Sequence, residues 1–162
     1  MTFGAPTIAD PLSMEGSAGT GTRSVLHEVT RQSVRAEDLR ALRTDLVEWV
    51  RSATGPSEEP ALADRLEDVA TAFYEVLSNV VDHAYPEGPG PVHVTARLAV
   101  TGTPGRPWLE ITVADRGGWR PVPTDPGHRG RGLLLLSRLT DGHDLQHDAV
   151  GTRVRLWWHR PP

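Results

Sequence analysis

Glu75, Asn79 and His83 recur at four-residue steps in the segment FYEVLSNVVDHAY. On a helix each such step leaves a net rotation of roughly 40°, which lines the three side chains along one edge. A carboxylate one turn from an amide suits a metal–phosphate site. The neutral Asn oxygen is a ligand for Mg2+, and the Glu can take a proton from a hydroxyl nucleophile. The same spacing also describes an ordinary polar helix edge. Asp115-Arg116-Gly117-Gly118 places a carboxylate before two glycines, where the backbone can turn sharply and approach a flat ligand. A plain turn after a strand uses the same residues. Gly130-Arg131-Gly132 leads straight into Leu133-Leu134-Leu135-Leu136, so that helix-start N–H groups stand open to a phosphate. Glycine-led helix starts are nevertheless common. Gly151-Thr152 opens the last apolar segment and, taken alone, is a hairpin turn.

These clusters need elements to hold them. Leu39, Leu42, Leu46 and Trp49/Val50 recur at helical spacing and predict a helix from Ala36 to about Arg51. Gly55, Pro56 and Pro60 interrupt it, and Ser57, Glu58 and Glu59 give an acidic start to a second helix. That helix, about Ala61–Ala84, carries Leu62, Leu66, Val69, Phe73, Val76/Leu77 and Val80 as its apolar stripe. The edge with Asn79 adjoins the stripe, which places Asn79 at the margin of the core. Pro86, Gly88, Pro89, Gly90 and Pro91 end the helix.

Strand-like alternation follows. Val92, Val94, Ala96 and Leu98 share one face, as do Leu109, Ile111 and Val113, and Val154, Leu156 and Trp158. The other faces read His93, Thr95, Arg97; Trp108, Glu110, Thr112; and Arg153, Arg155, Trp157. Ser24–Thr30 is a candidate short strand, Leu133–Leu139 a short helix, and His143–Asp148 a possible further strand. One apolar and one mixed face predict an α+β fold, a two-layer α/β sandwich whose mixed sheet is covered by helices on one face. Trp108 and Trp157 fall on the open face, where they would mark a partner or dimer surface or pack against arginine stems. Residues 1–22, rich in Gly, Ala, Ser, Thr and Pro, read as a mobile tail, and 23–162 as one domain.

Composition narrows the function classes. The chain has no cysteine, which excludes disulfides, thiol nucleophiles and Cys-based zinc sites. No apolar run approaches the roughly 20 residues that span a bilayer, and the N-terminus does not look like a signal peptide. A cytoplasmic protein is expected. The net charge of −4, with both signs interspersed, argues against direct nucleic-acid binding. Lysine is absent, so any side-chain cation on a phosphate must be arginine, with Arg129 and Arg131 the candidates.

In this order and spacing, over about residues 24–158, the clusters resemble the GHKL (Bergerat-fold) ATPases. These include type II topoisomerases, sensor histidine kinases and anti-sigma-factor kinases. The resemblance implies ATP and Mg2+ as cofactors. It makes Glu75 the general base and Asn79 the Mg2+ ligand of the N box, and Asp115 with Gly117 the adenine-binding glycine motif. Gly130, Arg131, Gly132 and Leu133 then form the motif that closes over the phosphates, and Thr152 supports the adenine contact. Glu75 to Asn79 with His83-Ala84-Tyr85 looks like the anti-sigma branch. The resemblance therefore implies an anti-sigma factor that phosphorylates a serine on a STAS-type anti-anti-sigma protein, with a sigma factor as its other partner and a possible homodimer. The chain departs from the family at Trp119, which stands where the motif has its second glycine, and in a short, proline-broken lid up to Gly130. That departure keeps open an ATP-holding module that acts by sequestering its partner alone.

Overall fold

The structure, a computed structural model, describes residues 24–55, 60–99, 108–118 and 131–160. Strand β1 (Ser24–Val34) is followed by a single 3-10 turn (Ala36–Asp38) and helix α1 (Leu39–Thr54). Helix α2 (Pro60–Asn79) runs into a π-helical turn (Val80–Ala84). Strands β2 (Gly90–Ala99) and β3 (Leu109–Asp115), helix α3 (Arg131–Leu139), and strands β4 (Gly142–Asp148) and β5 (Gly151–Trp158) complete the order.

The strands form one sheet in the order β1-β2-β3-β5-β4. The α+β two-layer architecture is the expected one, with a refinement. All four described ladders are antiparallel, whereas a mixed sheet was expected. β3 and β4 run the same way, but β5 lies between them and pairs antiparallel with both. Strand β1 extends past Thr30 to Val34, with a register shift between Arg31 and Val34. The proposed tail and Ser57, Glu58 and Glu59 lie outside the described residues.

The alternation in sequence becomes the inner face of the sheet. Val92, Val94, Ala96, Leu98, Leu109, Ile111, Val113, Leu156 and Trp158 are all buried. Helix α2 lies at the centre of the covering layer, with contacts to α1, α3 and β3. Eight of its residues are buried, from Leu62 to Leu77. A fully buried Leu, Val or Phe stabilises by about 1.5–3 kcal/mol relative to exposure. The stripe, rather than helix propensity, therefore fixes this helix on the sheet. Gly55 (φ +75°) ends α1, donating its N–H to Arg51 O at 3.0 Å. Helix α3 is fastened at its C-terminal end. The Trp158 indole N–H donates to Leu139 O at 2.7 Å, and the Thr140 hydroxyl donates to Leu136 O at 2.7 Å.

Trp108 is not on the open face. It is only 5% exposed and belongs to the core. It lies one residue before β3 begins, so the strand's alternation does not extend to it. Its N–H donates to Trp158 O, and its O accepts from Ala99 N–H. Trp157 is on the open face but is already packed. Arg155 lies over its ring at 5.4 Å, and a Cβ on Gly142 would fall 2.1 Å from the indole.

One partly buried contact couples the fold to pH. His27 on β1 stacks on Trp49 of α1, with ring centroids 5.1 Å apart. Burial lowers its pKa below the usual 6.5, Asp45 opposes that shift and Arg31 adds to it. The unfolded chain takes up this proton near pH 6.5 while the folded chain resists. The stabilisation is therefore complete above that value and is lost as pH falls through the folded pKa. His27→Phe keeps a ring against Trp49 but has no proton to bind. In denaturant unfolding, wild type should lose more stability than this variant between about pH 7.5 and pH 5.5.

Candidate functional site

The site is built where three segments distant in sequence meet at the end of β3. Asp115 continues the inward alternation of Leu109, Ile111 and Val113, and is half-buried. Its Oδ1 accepts the Gly117 N–H at 2.9 Å and the Thr152 N–H at 3.2 Å. The contact from Thr152 is thus made by its backbone amide. Among the described residues, Oδ2 accepts no hydrogen bond. One carboxylate oxygen is fixed and the other is left for a donor.

Two glycines make that geometry possible. A Cβ on Gly117 would lie 2.1 Å from Ala84 O, so no other residue fits against the end of the π turn. A Cβ on Gly151 (φ +148°) would lie 2.0 Å from Asp115 O. Gly151 was legible only as a hairpin glycine. What it does is let β5 begin flush against the Asp115 backbone, which brings the Thr152 amide within reach.

The helix that carries Glu75 and Asn79 approaches from the other side. Glu75 is half-buried and Asn79 is exposed, so Asn79 is not at the core margin where its spacing placed it. The start of α3 faces it: the Cβ position of Gly132 is 3.7 Å from Asn79 Nδ2. A glycine-led helix N-terminus therefore lies against the amide of the N-box candidate, an arrangement suited to phosphate. His83 is exposed and lies in the π turn, which interrupts the regular four-residue step from Asn79. That turn is a feature sequence reading missed. π-Helical turns inside α-helices occur frequently at functional sites. Trp119, Arg129 and Gly130 lie outside the described residues, as do the side chains of Arg131 and Leu133.

A cleft of about 610 Å³ opens elsewhere, on the helix-free face of the sheet. It reaches Asp115, Arg116, Gly151 and Thr152 from behind and includes His93 and Arg153, but neither Asn79 nor Gly132. It shares Asp115, Gly151 and Thr152 with the junction described above but excludes Asn79 and Gly132. No group of three or more His, Cys, Asp or Glu suited to a metal occurs among the described residues. A divalent cation here would rely on Asn79 and on oxygens brought by its ligand, as Mg2+–phosphate sites commonly do.

Residues 32–158 match the family model described as the histidine kinase-like ATPase domain. The chain belongs to this family. Glu75, Asn79, Asp115, Gly117, Gly132 and Thr152 all lie within the matched segment. A crystal structure of the RsbU and RsbW domains of Rv1364c from Mycobacterium tuberculosis shares this fold, with a TM-score of 0.59 and 24% sequence identity. The overlay covers 83% of this chain and 33% of that chain, so this chain spans about a third of the length of the chain it overlays. The histidine kinase domain of a blue-light-activated kinase from Erythrobacter litoralis overlays more loosely, with a TM-score of 0.44 and 17% identity over 79% of this chain and 64% of that one. No curated protein matches the chain. No helix among the described residues is long and apolar enough to cross a membrane.

Burial raises the pKa of Asp115 above its usual 3.8, although the Gly117 and Thr152 amides pull it down. A carboxyl shifted upward contributes stability below its unfolded pKa and loses it as pH rises through the folded value. At neutral pH the ionised Asp115 is a net cost to the ligand-free fold. Asn can keep the Oδ1 acceptor for both amides without the charge. Asp115→Asn should therefore melt at or above the wild-type temperature near pH 7, and the gain should vanish below about pH 4. A clear loss of stability at pH 7 would show that the charge itself holds the turn.

Proposed function

We propose that this domain binds ATP with Mg2+ and acts as an anti-sigma regulatory factor with serine kinase activity toward a STAS-type partner. The observation that carries the nucleotide reading is the Asp115 carboxylate. Its Oδ1 is fixed by two backbone amides and its Oδ2 is left for a donor such as an adenine amino group. The histidine kinase-like ATPase family supports the same ligand. The kinase and anti-sigma reading draws on the sequence from Glu75 to Tyr85, and on a fold shared with a protein described by its RsbU and RsbW domains. A homodimer remains part of the reading, without the support Trp108 was expected to lend.

Within this reading each residue has a distinct task. Asp115 accepts the base amino group. Gly132 exposes the start of α3 to the phosphates. Asn79 offers a neutral oxygen to Mg2+, which when bound would neutralise phosphate charge. Glu75, one turn earlier, accepts the proton of the serine hydroxyl, a step that typically contributes about 10²–10⁴-fold. Trp119, in place of a motif glycine, favours a second reading: a nucleotide-holding module that acts on its partner by sequestration alone.

Two measurements test the proposal and separate the readings. Asp115→Asn turns a donor toward a donor. One such unsatisfied buried group costs about 1–3 kcal/mol, so MgADP affinity should fall roughly tenfold or more by calorimetry. Equal affinity would remove Asp115 from the site. Glu75→Gln should keep ATP affinity while transfer of labelled γ-phosphate to a STAS protein collapses. Asn79→Ala should weaken the Mg2+-dependent part of binding as well. A wild-type protein that binds ATP and partner yet transfers no more phosphate than Glu75→Gln would leave sequestration as its activity.

A further inference from the structure

Three consecutive backbone amides follow Asp115, and each ends on a different acceptor. The Arg116 N–H donates to the Tyr85 hydroxyl oxygen at 2.7 Å and the Gly117 N–H to Asp115 Oδ1 at 2.9 Å. The Gly118 N–H donates to Ala84 O at 3.0 Å. Two of these acceptors belong to Ala84 and Tyr85, where the helix carrying Glu75 and Asn79 ends. The phenol is fixed at a second point, since its O–H donates to Pro91 O at 2.6 Å. Its ring lies on Gly90, where a Cβ would come within 2.4 Å of the ring carbons. Burial raises the Tyr85 pKa above 10.0 despite the bond from Arg116 N–H, so the phenol stays a donor at neutral pH.

We propose that Tyr85 is a positioning residue that sets the Asp115 turn relative to the Glu75–Asn79 helix, so that one nucleotide engages both. The proposal rests on the nucleotide reading, and it assigns Tyr85 no contact with the ligand. Asp115 does not depend on Tyr85 for its own orientation, because the Gly117 and Thr152 amides hold its carboxylate. The Arg116 N–H is at an exposed position, so water replaces a lost hydroxyl there. Removing the hydroxyl therefore leaves the base half of the site formed and takes away one of the two bonds that set its spacing from the phosphate half, the Gly118 N–H to Ala84 O bond being the other. A ligand confined to the base half does not sense that spacing, whereas one that spans both halves does.

The test compares adenosine with MgADP on wild type, Tyr85→Phe and Gly90→Ala. The alanine keeps the hydroxyl but displaces the ring from its seat. Calorimetry should show MgADP affinity falling about ten- to a hundredfold in both variants while adenosine affinity stays within about twofold. The ligand-free melting temperature of Tyr85→Phe should stay close to wild type. Unchanged MgADP affinity in Tyr85→Phe, with wild type binding normally, removes the positioning role alone. Adenosine and MgADP falling together, with a lower melting temperature, would make Tyr85 a structural residue only. Wild type binding neither ligand would remove the nucleotide reading, and the role of Tyr85 with it.

Discussion

The site depends on one close approach: the backbone of Gly117 against the carbonyl of Ala84. No side chain fits between them, and the Gly118 N–H completes the contact by donating to that carbonyl. The helix covering the sheet and the strand at its centre are therefore joined at the point where the functional residues lie. Gly151 repeats the arrangement from the opposite side, with its Cα against Asp115 O. Asp115 is held between two chain segments that approach to backbone distance because both use glycine there. Its orientation is a consequence of backbone packing, so it is present before any ligand arrives. Such preorganisation removes an ordering cost from binding.

On the open face of the one-sided sheet, polar side chains are paired with their neighbours. Its residues pair with one another within and across strands: Arg155 with Glu110 and with the Trp157 ring, and His93 with Thr30, Thr95 and Glu28. Exposed ion pairs of this kind contribute about 0–1 kcal/mol each. They make the face compatible with water without making it a reactive site. The apolar surface is concentrated on the inner side, where α2 lies, and the chemistry-bearing residues sit at the rim of that layer.

Much of this was legible because periodicity reports which face is buried. The stripe on α2 and the alternation in β2, β3 and β5 were read correctly, as were the short helix and the strand at 142–148. Three details escaped for specific reasons. Val76, Val80 and Ala84 continue a four-residue apolar step, which hides the π turn, since both helix types bury such residues. Trp108 was assigned to the open face by extending an alternation one residue beyond its strand. Gln32 and Ser33 are polar and lie beside a register shift, so β1 extends further than its apolar residues indicate. Within the site, Asp115, Gly117, Gly132 and Asn79 were singled out by type and spacing. The Thr152 amide and the Tyr85 hydroxyl were not, because a backbone donor has no sequence signature and a tyrosine after a helix ordinarily reads as packing.

The two halves of the site are held by different sets of contacts. Around Asp115 every backbone amide from Arg116 to Gly118 has an acceptor, and a fourth arrives from Thr152. Beside Asn79, a Cβ added at Gly132 would meet Nδ2 at 3.7 Å, so the start of α3 lies alongside the amide. Helix α3 is secured at Leu136 and Leu139, the end remote from Asn79, through Thr140 and Trp158. A negatively charged group at that first turn would gain the helix-dipole interaction, and shifting the turn would break none of the bonds that orient Asp115. The bonds that orient Asp115 are separate from those that secure α3, and the Ala84–Tyr85 junction is the structural link between the Asp115 turn and the helix that carries Asn79.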